Sequence, residues 1–298
     1  MQYIFAMKKS LFCFTLITGV VVMVASNAFA QGPNPRVRPP AVAGQFYTDN
    51  PAELKKEIDS YLSKGKKLAE APRMIISPHA GYVFSGPVAA MGYATIDKKV
   101  NTVFIIGPSH HAWFDGVSIA DVDSFATPLG TVPLNLDIVK KLRKSGFVHS
   151  NPQADGPEHS VEVQIPFLQT VLPSFSIVPI VMGNVDPESV AALILPYITP
   201  TTLVVASSDF SHYLSNSEAR SIDDRSIHSI LSGTIEDTIE ACGKSPIRVV
   251  MSLAKKLSLV PQLLDARTSY DTAPQYGPGR VVGYASIAYV KHGSPARK

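Results

Sequence analysis

Four short apolar runs constrain this chain more than any other feature. Met74-Ile75-Ile76, Thr102 to Ile106, Ser176 to Met182 and Thr202 to Ala206 carry apolar residues at consecutive positions and stop at a Ser or Gly (Ser77, Gly107, Gly183, Ser207). A strand that is apolar on both sides of its pleat must be covered on both faces. The intervening segments have the spacing of covering helices. One is expected to begin at Asn50-Pro51, with Leu54 and Tyr61–Leu62 facing inward, and others span Pro87 to Ile96 and Leu136 to Lys144. Asp155, Pro157 and Glu158 fit a capped first turn, which predicts a helix running to Leu172 with Glu158 as a capping residue. Further helices are expected over Pro187 to Tyr197, Ser217 to Leu231 and Pro246 to Leu257, and Arg280 to Val290 alternates like a closing strand. Strands alternating with helices predict an α/β fold: a single domain over 36–293 with a largely parallel central sheet flanked by helices. Residues 31–35 open a proline-rich extended arm reaching Pro40, and 294–298 form a short tail.

The first thirty residues stand apart. Lys8 and Lys9 precede an apolar run from Leu11 to Ala25, and Ala28-Phe29-Ala30 precedes Gln31. Those are the three parts of a secretory signal peptide, and the run is shorter than the roughly 20 residues that span a bilayer. Met7 directly precedes the basic pair and is an alternative start. Export to the periplasm or beyond is therefore expected, with cleavage after Ala30 and no membrane association afterwards. Cleavage removes Cys13 and leaves Cys242 as the sole cysteine, so no internal disulfide can form. A lone thiol in an oxidising compartment has to be buried, paired with another chain or bound to metal. The formal net charge of +3 is too small for a nucleic-acid footprint.

Ligands of open α/β sheets collect beyond the carboxyl ends of the strands. Three of the four runs deliver polar residues there: His79 after the first, His110 and His111 after the second, and Asp209 and His212 after the fourth. His159 opens the helix expected after Asp155. A single histidine of this kind is usually structural. Four on adjacent strand ends converge on one rim, which points to a metal site or to histidine acid–base chemistry.

These residues also carry a resemblance. His79-Ala80-Gly81-Tyr82, Gly107-Pro108-Ser109-His110-His111, Glu158-His159-Ser160-Val161-Glu162 and Ser207-Ser208-Asp209-Phe210-Ser211-His212 occur in that order, after Arg38-Pro39-Pro40-Ala41-Val42-Ala43-Gly44-Gln45-Phe46-Tyr47. The chain resembles the Memo family, protein B of the AmmeMemoRadiSam system, over nearly all of its mature length. The resemblance implies a fold similar to class III extradiol dioxygenases, whose non-haem Fe(II) is held by two histidines and a carboxylate, with a cysteine in the carboxylate's place. It implies His79, His110 and Cys242 as metal ligands, His212 as a general base with Asp209 beside it to orient it, and a functional link to the other proteins of that system. His111 is the alternative member of the pair, or a group that orients a ligand.

Two imidazoles and a thiolate suit Fe(II) first, with Cu or Zn as alternatives. The expected function is that of an exported metalloprotein, a non-haem iron oxidoreductase or dioxygenase acting on a small molecule. The alternative is a protein that binds copper, iron or a peptide in the same cleft without turnover, with Phe46, Tyr47, Gly81 and Tyr82 lining it.

Overall fold

The computed structural model describes residues 35–234 and 238–291. The expected leader over 1–30, the arm residues 31–34 and the tail over 294–298 lie outside the described residues. Helix α1 (Pro51–Leu62) starts where Asn50 accepts the amides of Ala52 and Glu53, with Pro51 in the first turn, and buries Leu54 and Ile58 one turn apart. Strand β1 (Met74–Ser77) leads to α2 (Tyr82–Tyr93) and then to β2 (Thr102–Pro108). Two short strands, β3 (Val117–Ser118) and β4 (Val148–His149), precede α3 (Ile165–Val171). Then come β5 (Ser176–Met182), α4 (Pro187–Ile194), β6 (Thr202–Ser207) and β7 (His212–Leu214). The chain closes with α5 (Asn216–Ser232), α6 (Lys244–Lys256), β8 (Leu259–Thr268) and β9 (Val281–Lys291).

Among the described residues these strands form one nine-stranded sheet in the order β7-β9-β1-β6-β2-β5-β3-β4, with β8 paired to β9. The four central strands, β1, β6, β2 and β5, are mutually parallel and are those of the four apolar runs. Antiparallel pairings flank them, β9 on β1 and β3 on β5. A separate small sheet joins Val37–Arg38, Ser124–Thr127 and Gly130–Pro133. No helix among the described residues is long and apolar enough to cross a membrane.

The topology positions the site. The chain runs from β1 past a gap to β2 and β5, then returns to lay β6 into that gap. Ser77 stands in register with Ser207, and Ile106 with Ala206. The loops leaving β1, β6 and β2 therefore emerge side by side at one level, though their sequence positions are far apart.

Two helices depart from expectation. Helix α2 begins at Tyr82, not Pro87, because the Gly81 carbonyl accepts the Phe84 and Ser85 amides. Pro87 then sits inside the helix, where the carbonyl it leaves without a partner is that of exposed Val83. The helix expected over Asp155 to Leu172 is broken. Pro152–Asp155 is a single turn, 162–164 is a tight turn, and only Ile165–Val171 is α-helical. Glu158 caps nothing there, because its carboxylate is committed to His110. Strand β8 also escapes sequence reading: it is an edge strand with Pro261 and few buried positions.

Candidate metal centre

His79 lies two residues past β1 and is fully buried. Its Nδ1 is 2.9 Å from Ser207 Oγ at the end of β6. The proton on that contact can be assigned. Ser207 Oγ donates to the Ser160 carbonyl at 2.5 Å and accepts from Gln164 Nε2 at 2.7 Å. Gln164 is held in that orientation because its Nε2 also donates to the Pro78 carbonyl and its Oε1 accepts from Tyr93 Oη. Ser207 has only a lone pair left for His79, so His79 Nδ1 carries the hydrogen and Nε2 presents a lone pair. Burial, then the neighbouring histidines His110 and His159, push the His79 pKa well down, which keeps the ring neutral.

His110 follows β2 and is oriented in the same manner from the opposite side. Its Nδ1 lies 2.9 Å from Glu158 Oε1 and its amide donates to Oε2 at 2.7 Å; Oε1 also accepts the Ser160 amide at 2.9 Å. Burial alone would push the Glu158 carboxyl up, but these three donors outweigh it and hold the pKa at about 2. An ionised Glu158 only accepts, so His110 Nδ1 is protonated and Nε2 is left free. Glu158 thus orients a candidate ligand, a role that its resemblance to a capping residue concealed.

Cys242 reaches the site from the loop before α6. Its amide donates to the Asp209 carbonyl at 3.2 Å, and the next amide, of Gly243, donates to Ser208 Oγ at 2.9 Å. A Cβ at Gly243 would come within 2.5 Å of the Ser207 carbonyl oxygen, so only glycine lets this loop approach β6 closely enough. Cys242 Sγ lies 3.2 Å from His79 Nε2, with the Asp209 carbonyl 3.6 Å away as a longer alternative. Burial, reinforced by Asp209, pushes the thiol up to about 12. The sulfur is therefore held as the thiol in the free protein, within reach of the His79 ring.

The donor atoms of His79, His110 and Cys242 all lie within 4.8 Å of one another, close enough to hold one metal ion. Their chemistry, two imidazoles and a thiol, fits a borderline or soft transition metal and not Mg or Ca. His111 is not part of this group. Three protein donors facing a cavity of about 790 Å³ leave room for a further ligand.

Asp209 and His212 line the same cavity. The expected hydrogen bond between them is not among the contacts of the described residues. Instead Asp209 Oδ1 accepts the His79 amide at 2.7 Å, and the carboxyl is buried, which pushes its pKa up to about 7. Asp209 therefore pins the His79 loop. His212 is exposed on β7, and partial burial lowers its pKa, leaving a neutral imidazole at neutral pH. His159, expected only to open a helix, is stacked on His110 with ring centroids 4.6 Å apart and meets His79 edge-on at 5.4 Å. Burial lowers its pKa to about 4.

Of the expected cleft residues, Phe46 and Gly81 line the cavity, whereas Tyr47 and Tyr82 are buried behind it. Tyr47 Oη donates to Glu162, which also accepts the Ala41 and Val42 amides and pairs with Arg38 at 2.6 Å. That buried network fixes the segment from which Phe46 reaches His159, ring centroids 4.7 Å apart.

A family model described as Memo-like protein matches residues 38–288. A "MEMO1 family protein" of Thermoplasma volcanium is 35% identical over 84% of this chain and 97% of its own length. Relatives with the same description from Sulfolobus acidocaldarius and Archaeoglobus fulgidus are each 36% identical, over 85% of this chain and 99% of their own lengths.

Proposed function

The chain belongs to the Memo-like protein family, and from that premise and the geometry of its site we propose that it is an exported non-haem iron oxidoreductase. One observation carries the reading. Two imidazoles are locked with Nε2 free, and a thiol stands beside them, in the wall of an open cavity. A structural metal site closes its coordination with four protein groups, whereas this one leaves space for a small molecule.

His79, His110 and Cys242 would hold the metal. Fe(II) bound there supplies Lewis acidity and reactivity toward O₂. The residues around it have separable tasks. Ser207 and Glu158 hold the two rings, Asp209 holds the His79 backbone, and Phe46 covers the His159 side. His212, neutral and exposed in the cavity wall, can accept a proton from a ligand hydroxyl. The leader-like segment over 1–30 precedes the family match, which begins at 38, and supports export.

The test is direct. Protein purified from the periplasm without chelator should contain one transition-metal ion per chain. Anaerobically loaded with Fe(II), it should consume O₂ with one or more members of a catechol panel. Uptake no greater than the metal-free control across that panel would remove the oxidoreductase reading and leave a metal- or peptide-binding role.

A further inference from the structure

The cavity carries a cation that the metal centre does not use. Arg280 lines it and is the one Lys or Arg to do so among the described residues. It has no carboxylate partner there. Its recorded contact is with Tyr213, whose ring centroid lies 5.2 Å from the guanidinium carbon. The one acid in the wall, Asp209, is buried and engaged with the His79 amide.

Tyr213 is itself unusual. It immediately follows His212, its backbone lies in the left-handed region at φ 60°, and its side chain is 63% exposed. A non-glycine residue held in that region is strained, and such strain concentrates at ligand sites. Here it holds an aromatic face under an otherwise unpaired guanidinium, an arrangement that orients the charge without neutralising it. The remaining wall is rich in rings: Phe46, Phe84, Tyr276 and Tyr284. Phe84 and Tyr276 meet edge-on at 4.9 Å.

We propose that the cavity takes an aromatic small molecule bearing a carboxylate, with Arg280 binding the carboxylate and Tyr213 positioning Arg280. A guanidinium offers a planar fork of donors that matches a carboxylate, and the ring-lined wall suits a flat apolar body. The inference deepens the substrate reading of the same cavity and rests on it.

The experiment measures binding without turnover. Full-length mature protein loaded with Zn(II) is titrated calorimetrically with protocatechuate and with its uncharged amide, which has the same ring hydroxyls. Wild type should bind the carboxylate at least about tenfold more tightly. Arg280→Gln should lose that preference while its affinity for the amide stays within about twofold. Arg280→Lys should retain part of it, and Tyr213→Ala should weaken carboxylate binding with little change for the amide. Equal affinities in wild type, or a preference that survives Arg280→Gln, would overturn the proposal and leave the substrate cavity standing. If neither probe binds the metal-loaded protein, the substrate-cavity reading and the proposal fall together.

Discussion

Replacing Glu158 by glutamine tests whether a buried carboxylate builds the metal centre. The change keeps the side chain's size and removes its charge. Glu158 is 1% exposed, and its two oxygens accept three N–H groups, two from His110 and one from Ser160. A glutamine can keep the two contacts on Oε1 only by turning its NH₂ toward the His110 amide, donor against donor. An orphaned buried donor costs about 1–3 kcal/mol. The lowered pKa offers a second measure. A carboxyl held at about 2 in the folded, metal-free protein, against roughly 4.3 unfolded, represents about 3 kcal/mol at neutral pH. The two routes meet at a loss of about 3 kcal/mol. The sign is fixed: because the folded pKa is depressed, the contribution is present above the unfolded value and fades as pH falls toward the folded one. The deficit of Glu158→Gln, read by urea unfolding, should therefore be full at neutral pH and shrink below about pH 4. Metal affinity should fall about 10–100-fold, because the acceptor of the His110 ring loses its negative charge. Titration with Co(II), followed by the thiolate-to-metal absorption band, reads that number. A variant that matches wild type in metal affinity would refute the orienting role.

Other outcomes follow from the same geometry. Cys242→Ala should lose metal occupancy by elemental analysis, most for the softer ions; full occupancy would mean that the third donor is another group. Since the thiol is pushed up to about 12 in the free protein, metal binding near neutral pH should release about one proton per chain, seen as a heat that varies with the ionisation enthalpy of the buffer. His212→Ala should keep its metal and lose oxidative turnover by about 10²–10⁴-fold, whereas loss of thermal stability with unchanged turnover would make it a packing residue. Mass spectrometry of periplasmic protein should find Gln31 at the N-terminus; a cytosolic chain beginning at Met1 or Met7 would refute export.

The parallel core was legible in the sequence because its cause is local. Residues 74–76, 102–106, 176–182 and 202–206 are apolar on both sides of the pleat, and only a two-faced buried strand uses such a run. The candidate donors were legible for a related reason: the residues that follow each run must emerge at the same end of a parallel sheet. Position alone thus brought His79, His110, His111 and His212 to one rim, while the choice of His79 and His110 among them, and of Cys242, needed the family resemblance. What holds them could not be read this way. Glu158 carries every local mark of a capping residue, yet its helix breaks because the carboxylate gains more from His110 and Ser160, 48 and 2 positions away in sequence. Ser207 looked like a strand terminator until the insertion of β6 between β1 and β2 placed its hydroxyl against His79, 128 positions away. Asp209 sits three residues before His212, but the strand register turns it to the His79 amide instead. Local spacing decides which residues a strand delivers to the rim. The order in which the strands are laid side by side decides which partners those residues find, because a hydrogen bond acts over about 3 Å and ignores distance along the chain.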